Sequence, residues 1–280
     1  MGIGAELSLS FFHERNVHSQ TGEDGVIAAI CHALDIREGT AVEFGAWDGV
    51  HLSNTAALRE AGWETCLIEG EPDRYAALVD KFSGNPKVIP IQAWVQPDGD
   101  SSLDALLARH FPKPIDLLSI DIDGDDYHIF ASLVIRPRII VCEFNPTIPP
   151  FIDRVNERGK NKGSSIVALN RIATQKGYEL VYATRWNAFF IDASRNGIIQ
   201  KRTPYEVFRW DHVRFVISDF DGENWFSDSA RRQSEISNPW DGLPAAFINS
   251  YPPELLGYGS REKSAARRDY VLAKMKAQST

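Results

Sequence analysis

Val42-Glu43-Phe44-Gly45-Ala46-Trp47-Asp48-Gly49 is the stretch that decides how this chain folds. An apolar run ends in an acidic residue, a turn follows with glycines at 45 and 49, and a polar loop leads into a helical pattern. Gly45 and Gly49 let the backbone approach a ligand where a Cβ would collide. In open α/β sheets, ligands lie beyond the carboxyl ends of the strands, and this turn has that location.

The same alternation extends in both directions. Short apolar runs predict strands at 41–46, 65–69, 88–95, 116–122 and 138–144, with two more at 179–185 and 188–192. The first five are continuously apolar, as strands covered on both faces are. Helices are predicted at 23–34, 53–61, 73–82, 102–110, 126–133 and 164–176. Residues 23–34 place Val26, Ile27, Ile30, Ala33 and Leu34 on one face. Ser53-Asn54-Thr55 supplies N-cap residue types, and Ser164-Ser165 with Gly177 brackets the helix at 164–176. Strand, helix, strand in this repeat means a mostly parallel, doubly wound sheet of the Rossmann-like α/β class. Residues 145–163 (NPTIPPFIDRVNERGKNKG) interrupt the rhythm with Pro, Gly and charge, and read as a long loop of the lid type. After about residue 194 the pattern weakens into a C-terminal helical and irregular extension with a basic helix at about 260–277. The expected organisation is a domain over 1–195 and an extension over 196–280 packed on it.

The chain has 280 residues, 43% of them hydrophobic and 24% charged. That excludes global disorder and allows a sizeable core without metal or disulfide staples. A net charge of −8 argues against a general electrostatic grip on nucleic acid. Cys31, Cys66 and Cys142 lie in apolar surroundings without zinc spacing and read as buried thiols of a reducing compartment. No apolar run approaches the roughly 18 residues of a membrane span, and the N-terminus shows no signal-peptide pattern. The expectation is a cytoplasmic protein acting on a small molecule, without nucleic-acid or membrane partners, with a homodimer left open.

The turn also discriminates between ligands. A dinucleotide site needs G-x-G-x-x-G so that a pyrophosphate can rest on a helix N-terminus. Here Trp47 takes the middle glycine position and Asp48 adds negative charge, both adverse to a diphosphate. An acid-lined turn suits a ligand with a cationic centre and an amino group, and S-adenosylmethionine has both. Glu69 ends the second strand, where ribose hydroxyls are gripped in this architecture. Gln92-Ala93-Trp94 lies where an adenine edge would fall, and Asp121 ends the fourth strand under the methionine or the reacting centre.

VEFGAWDGVHLSNT (42–55), LIEGEP (67–72), LLSIDIDGDDY (117–127) and IVCEFNP (140–146) together resemble the FkbM-like group of class I S-adenosylmethionine-dependent methyltransferases. Ser19-Gln20-Thr21-Gly22-Glu23-Asp24 resembles the segment that precedes the first helix in that group, and the likeness spans roughly residues 18–192. Trp47 departs from the pattern, since many methyltransferases carry glycine there. The resemblance implies a seven-stranded sheet with one antiparallel strand near its edge. It also implies cofactor contacts at Glu43, Gly45, Asp48, Asn54, Glu69 and Asp121, to which Gln20, Ala46, Gln92 and Ala93 are added as expected contacts.

Three further groups carry candidate chemistry. Asp121, Asp123, Asp125 and Asp126 are dense enough to hold a divalent cation such as Mg, with Asp123, Glu143 and Asn145 as the candidate ligands. The competing reading is that Asp125 and Asp126 cap the helix that follows. Methyl transfer to a hydroxyl needs a proton acceptor, and His128, Asp123 and Glu143 are the candidate catalytic groups, with His51 also near a strand end. Arg154, Arg158, Lys160 and Lys162 line the long loop and would either meet an anionic substrate, such as a nucleotide-sugar or a carboxylate, or stay solvated. The expected activity is O-methylation of a small polar metabolite or a sugar hydroxyl. N- or carboxyl-methylation and a non-catalytic cofactor-binding subunit are the alternatives.

Overall fold

The computed structural model describes residues 6–210, 216–218, 224–226 and 269. The chain divides into two compact units, Met1–Arg209 and Trp210–Thr280. In the first, a short 3-10 turn (Phe11–His13) and α1 (Glu23–Ala33) lead to β1 (Thr40–Phe44), α2 (Ala56–Glu60), β2 (Glu64–Glu69) and α3 (Pro72–Lys81). There follow β3 (Val88–Gln92), α4 (Leu103–His110), β4 (Leu117–Ile120), α5 (Asp126–Ser132) and β5 (Ile139–Glu143). The unit closes with α6 (Ile166–Gln175), β6 (Tyr178–Ala183), β7 (Asn187–Asp192) and α7 (Pro204–Val207). The second unit contributes β8 (Val216–Ser218) paired antiparallel with β9 (Asn224–Phe226). The basic helix expected at 260–277 lies outside the described residues, except for Asp269.

The sheet runs β3-β2-β1-β4-β5-β7-β6, parallel except for β7, which is antiparallel to both β5 and β6. It is a mostly parallel, seven-stranded Rossmann-like sheet with one reversed strand next to an edge. The central strands are buried throughout because both faces are covered: Ala41, Leu117, Val141 and Phe189 pack with Val26, Ile27 and Ile30 of α1. Pro90 is tolerated in β3 because that strand is at the sheet edge, where a missing N–H breaks no ladder. The chain runs outward from β1 to β2 and β3, then crosses back to β4 on the other side of β1. The carboxyl ends of β1 and β4 therefore flank a switch point, the usual place for a ligand in such sheets.

Element ends differ from the sequence expectation where side chains intervene. The second helix begins at Ala56, not at 53, because Ser53, Asn54 and Thr55 are all bound to the Glu43 carboxyl group. The third strand ends at Gln92 rather than 95, because Trp94 turns over to cover Gly70, where a Cβ would lie 2.2 Å from the indole. Residues 196–209 belong to the first unit: Leu7 pairs with Ile199, and the Arg202 amide bonds to the Leu180 carbonyl at 2.7 Å. Among the described residues, no helix is long and apolar enough to cross a membrane. Cys31, Cys66 and Cys142 are buried free thiols, and burial pushes the first two up to about 12.

Candidate active site at the carboxyl edge of the sheet

Strand register fixes the site. Glu43 is opposite Ser119, Ile120 is opposite Cys142, and Glu143 is opposite Asn187. One residue further, Gly45, Asp121, Glu143 and Asn187 form a row across the edge. Side chains alternate along strands, so Glu43 and Asp121 share the face that α1 covers.

Glu43 is 5% exposed and fully engaged. Its carboxyl accepts from Ser53 Oγ and Thr55 Oγ1 at 2.6 Å and from the Asn54 amide at 2.8 Å. Burial raises its pKa against those three bonds. Asn54 is equally buried and donates to Ser119 Oγ at 3.0 Å. Both residues therefore pin the start of α2 to the sheet. Asp48 also works within its own loop, accepting from the Val50 and His51 amides and from Lys81 Nζ at 2.6 Å. Its burial raises the pKa, but these bonds outweigh it and hold the carboxyl at about 2. Ala46 is core, packed on Leu67, Leu78 and Val88. Gln20 is exposed, and the Gln92 side chain lines a separate groove with Tyr75 and Val79.

The other expected contacts converge. Gly45, at φ +72°, passes so close to the Asp121 carbonyl that a Cβ would lie 2.4 Å from it. Glu69, 4% exposed, accepts the Trp47 amide at 2.7 Å on one oxygen and the Glu71 amide at 2.8 Å on the other. A carboxylate has about four acceptor positions, so each oxygen keeps one for a hydroxyl donor. Asp121 accepts no hydrogen bond among the described residues. Burial first, then the charges of Asp126, Asp123, Glu43 and Glu23, push its pKa well up. A cavity of about 270 Å³ opens at these strand ends, lined by Gly45, Glu69, Ala93, Trp94, Ile122 and Asp123 among others. That volume is near the lower end of the roughly 300–1,000 Å³ of small-molecule sites.

The cavity has a strap on its far side. Gly124, Asp125, Gly159, Lys160 and Asn161 also line it. Asn156, 3% exposed, donates through Nδ2 to the Gly124 carbonyl at 3.0 Å and to the Lys160 carbonyl, and through its amide to Ser164 Oγ. Asp125 accepts the Gly159 amide at 2.9 Å. A Cβ on Gly124 would lie 2.6 Å from the Lys160 carbonyl, so glycine is what lets the strap approach. Asn145 holds the strap's other end, donating to the Lys162 carbonyl and accepting from Thr147.

His128, Asp123 and Glu143 differ in what they can do. His128 Nε2 lies 2.7 Å from the Asn156 carbonyl, which only accepts, so this nitrogen carries a proton and donates it. Glu143 is pushed up to about 10, by burial first and then by Asp121, Asp126 and Asp123. That company favours its neutral form over a charge. Asp126 caps its own loop through the Ile122 and Gly124 amides, and burial raises it to about 6 against those bonds. Asp123 lines the cavity at φ +58°, a left-handed conformation that costs a non-glycine residue about 1–2 kcal/mol. Among the described residues, no group of three or more His, Cys, Asp or Glu side chains has the arrangement to hold a metal ion.

Residues 99–180 match the model of the methyltransferase FkbM domain. That segment, less than a third of the chain, is similar to the FkbM domain. That match supports an S-adenosylmethionine-dependent methyltransferase. No curated protein matches the chain. Among solved structures, a TehB-like S-adenosylmethionine-dependent methyltransferase from Corynebacterium glutamicum is 13% identical, covering 61% of this chain and 88% of that one at a TM-score of 0.39. A second such methyltransferase, from Aquifex aeolicus, is 10% identical, with 61% and 88% covered and a TM-score of 0.35. A fibrillarin from Methanococcus jannaschii is 15% identical, with 56% and 67% covered and a TM-score of 0.39.

The residues at this edge fit an adenosyl amino acid on the geometry alone. The backbone approach at Gly45, the spare acceptor positions of buried Glu69, the indole above Gly70 and the unpartnered carboxyl of Asp121 all meet at one edge. Sequence reading missed the Asn156 clasp, because one asparagine in a polar loop carries no local signal. Gly124, between acidic residues, did carry one: an isolated glycine there marks a close backbone approach.

Proposed function

We propose that this chain is an O-methyltransferase acting on a hydroxyl of a small polar metabolite or sugar, with residues 1–195 as its catalytic domain. The observation that carries the reading is the cavity at the switch point, bordered by Gly45 and Glu69 and open to Asp123. Glu69 would hold the ribose hydroxyls, Ala93 and Trp94 the adenine edge, and Asp121 the amino-acid end. When bound, S-adenosylmethionine supplies an electrophilic methyl on a sulfonium.

Catalysis then rests on holding the acceptor oxygen in line with the carbon–sulfur bond and on excluding water beneath the 156–161 strap. Asp123 would take the proton that the acceptor hydroxyl gives up when its oxygen is methylated. Asp123 is the candidate base because it lines the cavity, whereas His128 and Glu143 are not among the lining residues. Nε2 of His128 is turned to the Asn156 carbonyl, and burial beside Asp121, Asp126 and Asp123 pushes Glu143 up.

Calorimetric titration with S-adenosylmethionine, S-adenosylhomocysteine and NAD tests the cofactor half. Binding of both adenosyl compounds and not of NAD is expected, and NAD binding alone would overturn the reading. Turnover in Asp123→Asn separates acceptors. A loss of about 10²–10⁴-fold supports a hydroxyl, and unchanged turnover points to a carboxylate that needs no base. Cofactor binding without turnover on any acceptor would favour a non-catalytic subunit.

A further inference from the structure

Beyond the cofactor cavity, the carboxyl edge continues through β4 and β5 to the turn between β6 and β7. The Phe144 amide donates to the Trp186 carbonyl at 2.9 Å, so that turn lies directly beside the end of β5. Thr184 and Asn187 close it, and Arg185 and Trp186 are its two tip residues.

Several cations of the first unit are already neutralised. Lys81 is paired with Asp48, Arg158 with Asp98, Arg171 with Asp153 and Arg138 with Asp116. Arg185 is half-buried, with its guanidinium carbon 5.2 Å from the Trp186 ring centre. Its Nε is buried without a hydrogen-bond partner, and no carboxylate pairs with it among the described residues. A buried N–H left unpaired is destabilising, and a ligand acceptor would offset that. Two residues on, Asn187 is 1% exposed. Its Nδ2 faces Glu23 Oε1 at 3.3 Å, which turns its Oδ1 away from that carboxylate, and Oδ1 has no partner either.

Charge says which ligand. Asp121, Asp123, Asp126 and Glu143 crowd this edge, so an anion approaching it needs a cation not already neutralised. An arginine fork backed by an aromatic plane is suited to a planar or tetrahedral oxyanion. We infer that Arg185, braced on Trp186, binds an oxyanion of the methyl acceptor, a carboxylate or a phosphate, so that the acceptor is an anionic small molecule. This rests on the methyltransferase reading above for the acceptor's place, but not for the anion site itself.

The test titrates inorganic phosphate, and separately acetate, into the protein with and without saturating S-adenosylhomocysteine. Variants are Arg185→Gln, Arg185→Lys and Lys201→Gln, the last because Lys201 is an exposed cation outside the cavity lining. Wild type is expected to bind one of the two anions. Arg185→Gln should weaken it about tenfold or more, with partial recovery in Arg185→Lys and no change in Lys201→Gln. Affinity for S-adenosylhomocysteine should stay constant throughout, which excludes misfolding. No anion binding by wild type, equal binding in Arg185→Gln, or a loss confined to Lys201→Gln overturns the inference. A protein that binds the anion through Arg185 but not S-adenosylhomocysteine would sink the cofactor assignment and leave the anion site standing. Preference for phosphate over acetate, or the reverse, identifies the oxyanion.

Discussion

Glu69 and Glu43 are both buried acids on the carboxyl edge, yet only one of them keeps acceptor capacity facing a cavity. Glu69 uses one position of each oxygen on the Trp47 and Glu71 amides, and it lines the cavity. Glu69→Ala is therefore expected to weaken S-adenosylhomocysteine by about 1.5–3 kcal/mol, the range for hydrogen bonds to a charged group, as read by calorimetry. Unchanged affinity in a folded variant would mean that the ribose is held elsewhere. Glu43→Gln should act differently. It replaces one acceptor oxygen that serves both Ser53 and Thr55, so the loss should be in melting temperature, equivalent to about 1–3 kcal/mol, rather than primarily in the contacts made to ligand. The strand-end position of Gly45 and Glu69 beside the cavity could be read from the sequence, because their residue types are unusual at the end of an apolar run. The binding of the Glu43 carboxyl by residues 53–55 could not, since an acid at a strand end can turn to a ligand or to the next helix. That choice depends on where residues 53–55 return in space.

At the level of elements, the strap over residues 156–161 and the β4–α5 turn form one clasp, joined at Asn156, Asp125 and Gly124. Adding a methyl group at Gly124 forces the Lys160 carbonyl aside from 2.6 Å. Gly124→Ala is expected to cost about 1–3 kcal/mol by overpacking and to free the strap. Limited trypsin digestion should then cut after Arg158 or Lys160 faster than in wild type, while cleavage rates elsewhere stay constant. Equal rates would mean that the clasp does not hold the strap. The alternation of strands and helices was legible because continuous apolar runs and N-cap serines are local signals, as at Ser165 in α6. The reversal of β7 was carried by the family resemblance. Nothing in Ala188-Phe189-Phe190 itself distinguishes a strand running one way from one running the other. The structure supplies the physical reason: a two-residue turn at 185–186 leaves β7 no route except back along β6.

Across the whole molecule, burying several acids at one edge ties folding to pH. Glu143 is raised from 4.5 to about 10 and Asp126 from 3.8 to about 6. A raised acid binds more protons folded than unfolded. Its contribution is fully present below the unfolded value and is lost as pH rises through the folded one. Asp48, lowered from 3.8 to about 2, runs the other way and contributes above 3.8. Replacing Glu143 with glutamine removes the titration and keeps the shape. The melting temperature of Glu143→Gln, relative to wild type, should therefore rise steadily as pH increases from 4.5 toward about 10. A difference that stays flat across that window would show that the carboxyl is not held protonated in the folded protein. The same edge also bounds what the first unit needs in order to bind cofactor. Every described residue of the cavity lies within Met1–Arg209, and residues 196–209 make contacts inside that unit: the ring of Phe208 lies 6.4 Å from that of Phe144, and Arg209 bonds to Glu14. A chain ending at Arg209 should melt in one cooperative transition and bind S-adenosylhomocysteine within about threefold of the full chain, by scanning calorimetry and titration. A chain ending at residue 195 should melt lower, because it loses the Leu7–Ile199 pairing and the Arg202–Leu180 bond as well. If instead the Arg209 truncation lost cofactor binding while keeping its melting transition, the second unit would have to supply part of the site.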